Sequence, residues 1–195
     1  MAIENLTAFS EEIKNCTLCI DALADGVRPV FQVSETAKIL IVGQAPGRKV
    51  HETGVPFDEP SGDRLREWMG IPSDFISAAS QKAIVPMGFC LPGTGKSGDL
   101  PPRSECAAAW RVKLLQFMDA ISLTIVIGQY AMDWHLPKDR PRTVTDTVKA
   151  WQSYWPDKVV LPHPSPRNNI WLKKNAWFEQ DVLPSLRGRV GELLN

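Results

Sequence analysis

Four short runs of apolar, largely β-branched residues stand out along the chain, at positions 38–42, 82–85, 123–127 and 158–161. Each is apolar at successive positions rather than at alternate ones, the pattern of a strand covered on both faces, as in a parallel sheet. Between them the period changes to that of a helix. Ser61 stands as an N-cap, and Leu65, Trp68 and Met69 follow at i, i+3 and i+4, predicting a helix over 61–69. A second helix is expected over 104–121, capped by Ser104, with Trp110, Leu114, Leu115 and Met118 on one face. Shorter helices are expected at 129–136 and 143–151, and a last one at 170–186 with Pro184 bending its end. Strand and helix in alternation predict an α/β fold: a single doubly wound domain over 1–195, with a central four-stranded parallel sheet flanked by helices. There is no internal repeat, low-complexity tract or linker to divide it.

Composition adds little to that outline but excludes several classes. A chain of 195 residues, 44% hydrophobic and 23% charged, is ordinary globular protein. No apolar run approaches the roughly 18–20 residues a membrane span needs. The N-terminus lacks a basic stretch followed by an apolar one, so no secretory signal is read and the cytoplasm is the expected compartment. The 22 Lys and Arg balance the 22 Asp and Glu, which argues against a protein that coats nucleic acid. A local basic rim remains available from Arg48, Lys49, Lys96, Arg103, Arg167, Lys173 and Lys174.

In a doubly wound sheet, function collects beyond the carboxyl ends of the strands. Two such loops are unusual here: Gly43-Gln44-Ala45-Pro46-Gly47 after the first predicted strand, and Pro162-His163-Pro164-Ser165-Pro166-Arg167-Asn168 after the fourth. Gly and Pro at this density make a rigid, closely approachable backbone, the kind that holds a phosphate or a developing oxyanion through its amides. The chain has four cysteines: Cys16 and Cys19 as a Cys-x-x-Cys pair, then Cys90 and Cys106. Four thiolates can close a metal site, and spacing alone does not separate zinc from an iron–sulfur cluster or from no metal at all.

The two loops carry a family resemblance. Gly43-Gln44-Ala45-Pro46-Gly47, with Thr53-Gly54-Val55-Pro56-Phe57 after it, resembles the first motif of the iron–sulfur (family 4) uracil-DNA glycosylases. His163-Pro164-Ser165-Pro166-Arg167-Asn168, about 120 residues on, resembles the superfamily's second motif and is closest to that of the single-strand-selective uracil glycosylases. The resemblance implies an enzyme that flips a nucleotide out of DNA and hydrolyses the bond between C1′ and its base. It implies roles for the matching positions. His163 would donate to the base carbonyl; Gln44, Ala45 and Gly47 would line the base pocket; Phe57 would stack on the base. Ser165 would bind a phosphate, and Arg167, with Asn168, would enter the duplex. Cys16, Cys19, Cys90 and Cys106 resemble the family's [4Fe–4S] ligands, with a structural role. DNA is the implied partner, a membrane is not, and a monomer is expected because one rigid cleft flips a base without a symmetry mate.

The general base is unassigned by the motifs, since Ala45 stands where many superfamily members have Asp or Asn. Asp58 and Asp63 are the nearby carboxylates, with His51 a further possibility. The segment 85–90 lacks the Asn with which family 4 reads uracil, leaving hypoxanthine, xanthine or an oxidised pyrimidine open as substrates. Pro92-Gly93-Thr94-Gly95-Lys96-Ser97 imitates a phosphate loop, but Cys90 occupies its first Gly position, and Pro101-Pro102 excludes the helix that must follow. The alternative to an enzyme is a non-catalytic module of the same fold that binds damaged or single-stranded DNA.

Overall fold

The structure, a computed structural model, describes residues 5–72, 80–96 and 98–194. Met1 to Glu4, read above for a secretory signal, and Ser97 of the Gly-rich loop lie outside the described residues. The chain opens with α1 (Leu6–Lys14), started by the Asn5 side chain, which accepts from the Ala8 N–H at 2.8 Å. This helix buries Leu6, Phe9 and Ile13. β1 (Ile39–Val42) follows, then the short α2 (Arg48–Thr53) and α3 (Pro60–Met69). α3 has Pro60 in its first turn and buries Leu65, Trp68 and Met69, the spacing anticipated from sequence. Next come β2 (Lys82–Ile84) and a small antiparallel hairpin of β3 (Thr94–Gly95) and β4 (Gly98–Asp99).

The expected helix at 104–121 is interrupted. α4 (Ser104–Cys106) passes into a π-turn over Ala107–Arg111 before α5 (Val112–Gln116). That widened turn carries Arg111, which is fully buried. β5 (Leu123–Ile127) and α6 (Gly128–His135) come next. α7 (Val144–Lys149) is capped by the Thr143 hydroxyl, which accepts from the Asp146 N–H, and β6 (Lys158–Leu161) follows it. The expected single helix at 170–186 is two. α8 (Asn169–Lys174) stops where Asn175 leaves helical geometry and its amide donates to the Trp171 carbonyl at 2.8 Å. A π-turn over Phe178–Val182 then leads into α9 (Leu183–Leu194). Pro184 therefore sits near the start of a helix segment rather than bending the end of one.

The four predicted strands form one parallel sheet in the order β2-β1-β5-β6. Every residue of β1 and β5 is buried, which is why neither run alternates in sequence. The chain builds outward from β1 to β2, then returns to the other side for β5 and β6, so its direction reverses between β1 and β5. Such a reversal opens a crevice at the carboxyl ends of the strands. Among the described residues, no helix is long and apolar enough to cross a membrane.

Candidate functional site

The loop leaving β1 is held by its neighbour. Beyond β2, the N–H groups of Met87 and Gly88 donate to the carbonyls of Gly43 and Gln44, each at 2.9 Å. The Gln44 amide donates to the Leu100 carbonyl at 2.9 Å, tying the β3–β4 hairpin to the same loop. Phe57 adopts a positive φ of 57°, a conformation that a bulky residue holds only when its surroundings impose it. Gly62 allows this arrangement: a Cβ there would lie 1.9 Å from the Phe57 carbonyl oxygen. The aromatic ring meanwhile packs towards Gly43.

These residues line a narrow cleft of about 440 Å³, whose walls include Gln44, Ala45, Gly47, Phe57, Pro86 and His163. It adjoins a broader cleft of about 1320 Å³ that adds Asp99 from β4 and Ser165, Arg167 and Asn168 from the loop after β6. All the residues expected in base binding and DNA binding, together with His163, are thus brought to one place.

The loop after β6 is braced from several directions. The Arg64 guanidinium of α3 donates to the Ser165 carbonyl at 2.8 Å and to Asn169 Oδ1 at 2.7 Å. Asn168 Nδ2 donates to the His163 carbonyl at 2.6 Å, so its amide steadies the histidine instead of reaching outward. Ser165 Oγ accepts from the Arg167 N–H at 3.2 Å, capping the single turn Pro166–Asn168 and leaving its own proton available. Arg167 is exposed. Sequence reasoning missed Arg64, whose position on α3 carries no loop signature.

The His163 ring faces the open cleft, yet the walls around it exclude enough water to push its pKa below the ordinary histidine range. Arg167 adds to that shift, while Glu59 and Asp99 oppose it. A neutral imidazole follows, able to donate one hydrogen bond without giving up a formal charge.

Neither expected carboxylate reaches this ring. Asp63 pairs with Arg66 and its side chain is 75% exposed; Asp58 pairs with Lys49 at 3.3 Å. Neither lines either cleft, and His51, on α2, lines neither as well. The carboxylate that does line both clefts is Glu59, which sequence reasoning passed over. Its only signal was its place directly before Pro60 at a helix start, where an acidic residue reads as a partner of the helix dipole.

The cysteines gather at a separate cavity. Cys16, Cys19, Cys90 and Cys106 all line one cavity of about 410 Å³, with Phe89, Arg103 and Trp110. Two of the sulfurs are offered an N–H: Trp110 Nε1 donates to Cys16 and the Phe89 amide to Cys106, both at 3.3 Å. Burial pushes the Cys90 thiol up to about 11 and that of Cys106 to about 12, and raises Cys19 as well. No group of three or more metal-ligating side chains among the described residues is compact enough to hold one metal ion. Four thiols lining one cavity are a donor set of the kind that can hold either a zinc ion or an iron–sulfur cluster.

Part of the expected basic rim is spoken for. Arg48 pairs with Asp25 at 2.9 Å, Lys49 with Asp58, and Arg103 with Glu105. Lys96, Arg167, Lys173 and Lys174 remain exposed.

A parallel α/β sheet has a crevice at its strand ends, and two adjoining clefts there meet at a histidine. The chain matches the Uracil DNA glycosylase superfamily over residues 30–187, and it belongs to that family.

Proposed function

We propose that this protein is a DNA glycosylase that hydrolyses the N-glycosidic bond of uracil, or of another deaminated or damaged base, in DNA. The observation that carries this reading is the junction of the two clefts at His163. The narrow cleft suits a flipped base and the broad one suits the strand that presents it.

In this reading the base enters between Phe57 and the β1 loop, with the Phe57 face as its stacking surface. His163, neutral and steadied by Asn168, donates to a base carbonyl as negative charge grows there. Ser165 and nearby amides receive a phosphate, and Arg167 occupies the space the nucleotide leaves. Cys16, Cys19, Cys90 and Cys106 would hold a [4Fe–4S] cluster, which when bound crosslinks the N-terminal segment to the middle of the chain. No step of base removal requires it.

The reading is tested on purified, metal-loaded protein with oligonucleotides carrying uracil, hypoxanthine, xanthine or hydroxymethyluracil, followed by alkali. Strand cleavage on one of them that falls by roughly 100-fold or more in His163→Ala supports it and names the base. DNA binding without cleavage of any of the four would favour a module that only binds.

A further inference from the structure

The two clefts share six residues: Gln44, Ala45, Pro46, Gly47, Glu59 and His163. They mark the seam where a base held in the narrow cleft joins a backbone held in the broad one. The sugar, and with it C1′, belongs at that seam. Of the six, only Glu59 carries a basic side chain of the carboxylate type. Its position is fixed on one side by Ser61, whose hydroxyl donates to Glu59 Oε1 at 2.6 Å. On the other side Glu59 Oε2 stands in the space a side chain at Gly47 would take, 2.8 Å from where a Cβ would be. The glycine of the first loop thus leaves the room this carboxylate occupies. Glu59 is also close enough for its charge to act on the His163 ring.

We propose that Glu59 is the catalytic base of this enzyme, an inference that rests on the glycosylase reading above. As the C1′–N bond breaks, its electron pair leaves with the base, where the His163 donor receives the growing charge. The Glu59 carboxylate faces the cation developing on the sugar. A water at the seam adds its oxygen to C1′ and passes a proton to Glu59, and the departing base anion is protonated from solvent. Atoms and charge balance with water as the only co-reactant. Ser61 is a positioning residue, holding one carboxylate oxygen so that the other is presented to the water.

The test is single-turnover cleavage of the oligonucleotide on which the native protein is active, with DNA affinity measured alongside. Glu59→Gln keeps the acceptor for Ser61 and costs α3 no cap, because the Glu59 side chain makes no capping hydrogen bond. The cleavage rate should fall by roughly 100-fold or more with affinity within about threefold of the native value, and Glu59→Asp should recover part of the rate. Gly47→Ala tests the same geometry without replacing Glu59, because its methyl takes the space the carboxylate occupies. The backbone at Gly47 has φ −78°, which alanine accepts, and the new methyl displaces only the end of a flexible side chain. It should lose rate with little loss of thermal stability. Full activity in Glu59→Gln overturns the proposal while leaving the glycosylase reading intact. So does loss of activity in Asp99→Asn but not in Glu59→Gln. If the native protein cleaves no substrate, the broader reading fails first.

Discussion

At the scale of single residues, the site joins a neutral donor to a nearby negative charge, and each perturbs the other. Burial lowers the His163 pKa and Glu59 partly restores it. The ring should therefore titrate below the ordinary histidine value of about 6.5, and lower still in Glu59→Gln, which an NMR titration of the imidazole will show. An unmoved midpoint in that variant would mean the carboxylate does not face the ring. A second expectation concerns Gly62, where a Cβ would meet the Phe57 carbonyl. Gly62→Ala should cost about 1–3 kcal/mol or more, because the obstacle is backbone and cannot step aside. For a domain of this size each kcal/mol lowers the melting temperature by roughly 2–4 °C in a thermal scan. These residues differ in how plainly sequence announces them. Gln44 and His163 sit in loops dense in Gly and Pro, where composition alone flags a rigid turn. Glu59 sits among Asp58 and Asp63, three acids within six positions, and only the fold decides which of them turns inward.

Among elements, the strands were the most legible part of the chain. Residues 123–127 and 158–161 were read to their boundaries, because a strand buried on both faces is apolar throughout. The helices were legible as faces but not as continuous objects. A buried stripe is compatible with a π-turn at 107–111 or a break at Asn175, since neither disturbs which side is apolar. The first of these turns brings Arg111 under the β2 loop, where it donates to the Val85 carbonyl at 2.9 Å and to the Pro86 carbonyl at 3.0 Å. Arg111 also meets His135 Nε2 at 2.7 Å; the guanidinium can only donate, so this nitrogen must be the unprotonated one. Burial, Arg111 and Lys158 push the His135 pKa down to about 3. The folded state resists a proton that the unfolded chain accepts near 6.5. This part of the stability is therefore whole above about pH 6.5 and is lost as the pH falls towards 3, at no more than about 1.4 kcal/mol per pH unit. Denaturant midpoints at pH 7 and pH 5 should reveal the loss, and His135→Gln, which keeps an acceptor for Arg111, should flatten it.

The whole molecule brings two cavities to one segment, with Pro86 walling the narrow cleft and Cys90 lining the thiol cavity. The fold brings four cysteines from separate stretches of the chain to one cavity, so the proposed cluster would bind only once the chain has folded. Cys16→Ser should lower both bound metal, read by elemental analysis, and the melting temperature. The protein's charge makes a different expectation. With zero net charge and three basic residues of the rim already paired, only a few cations are left to displace counterions. The logarithm of DNA affinity should fall against the logarithm of salt with a slope of roughly −2 to −3; a slope near −8 would place many more phosphates on the surface. From Val85 to Phe89 the backbone is committed residue by residue: to Ile41, to Arg111 twice, to Gly43 and Gln44, to the Cys106 sulfur, and to the Val30 N–H. A side chain here can be exchanged, but a residue cannot be added or removed without shifting one cavity relative to the other. Among descendants of this fold, the stretch should keep its count while its letters drift.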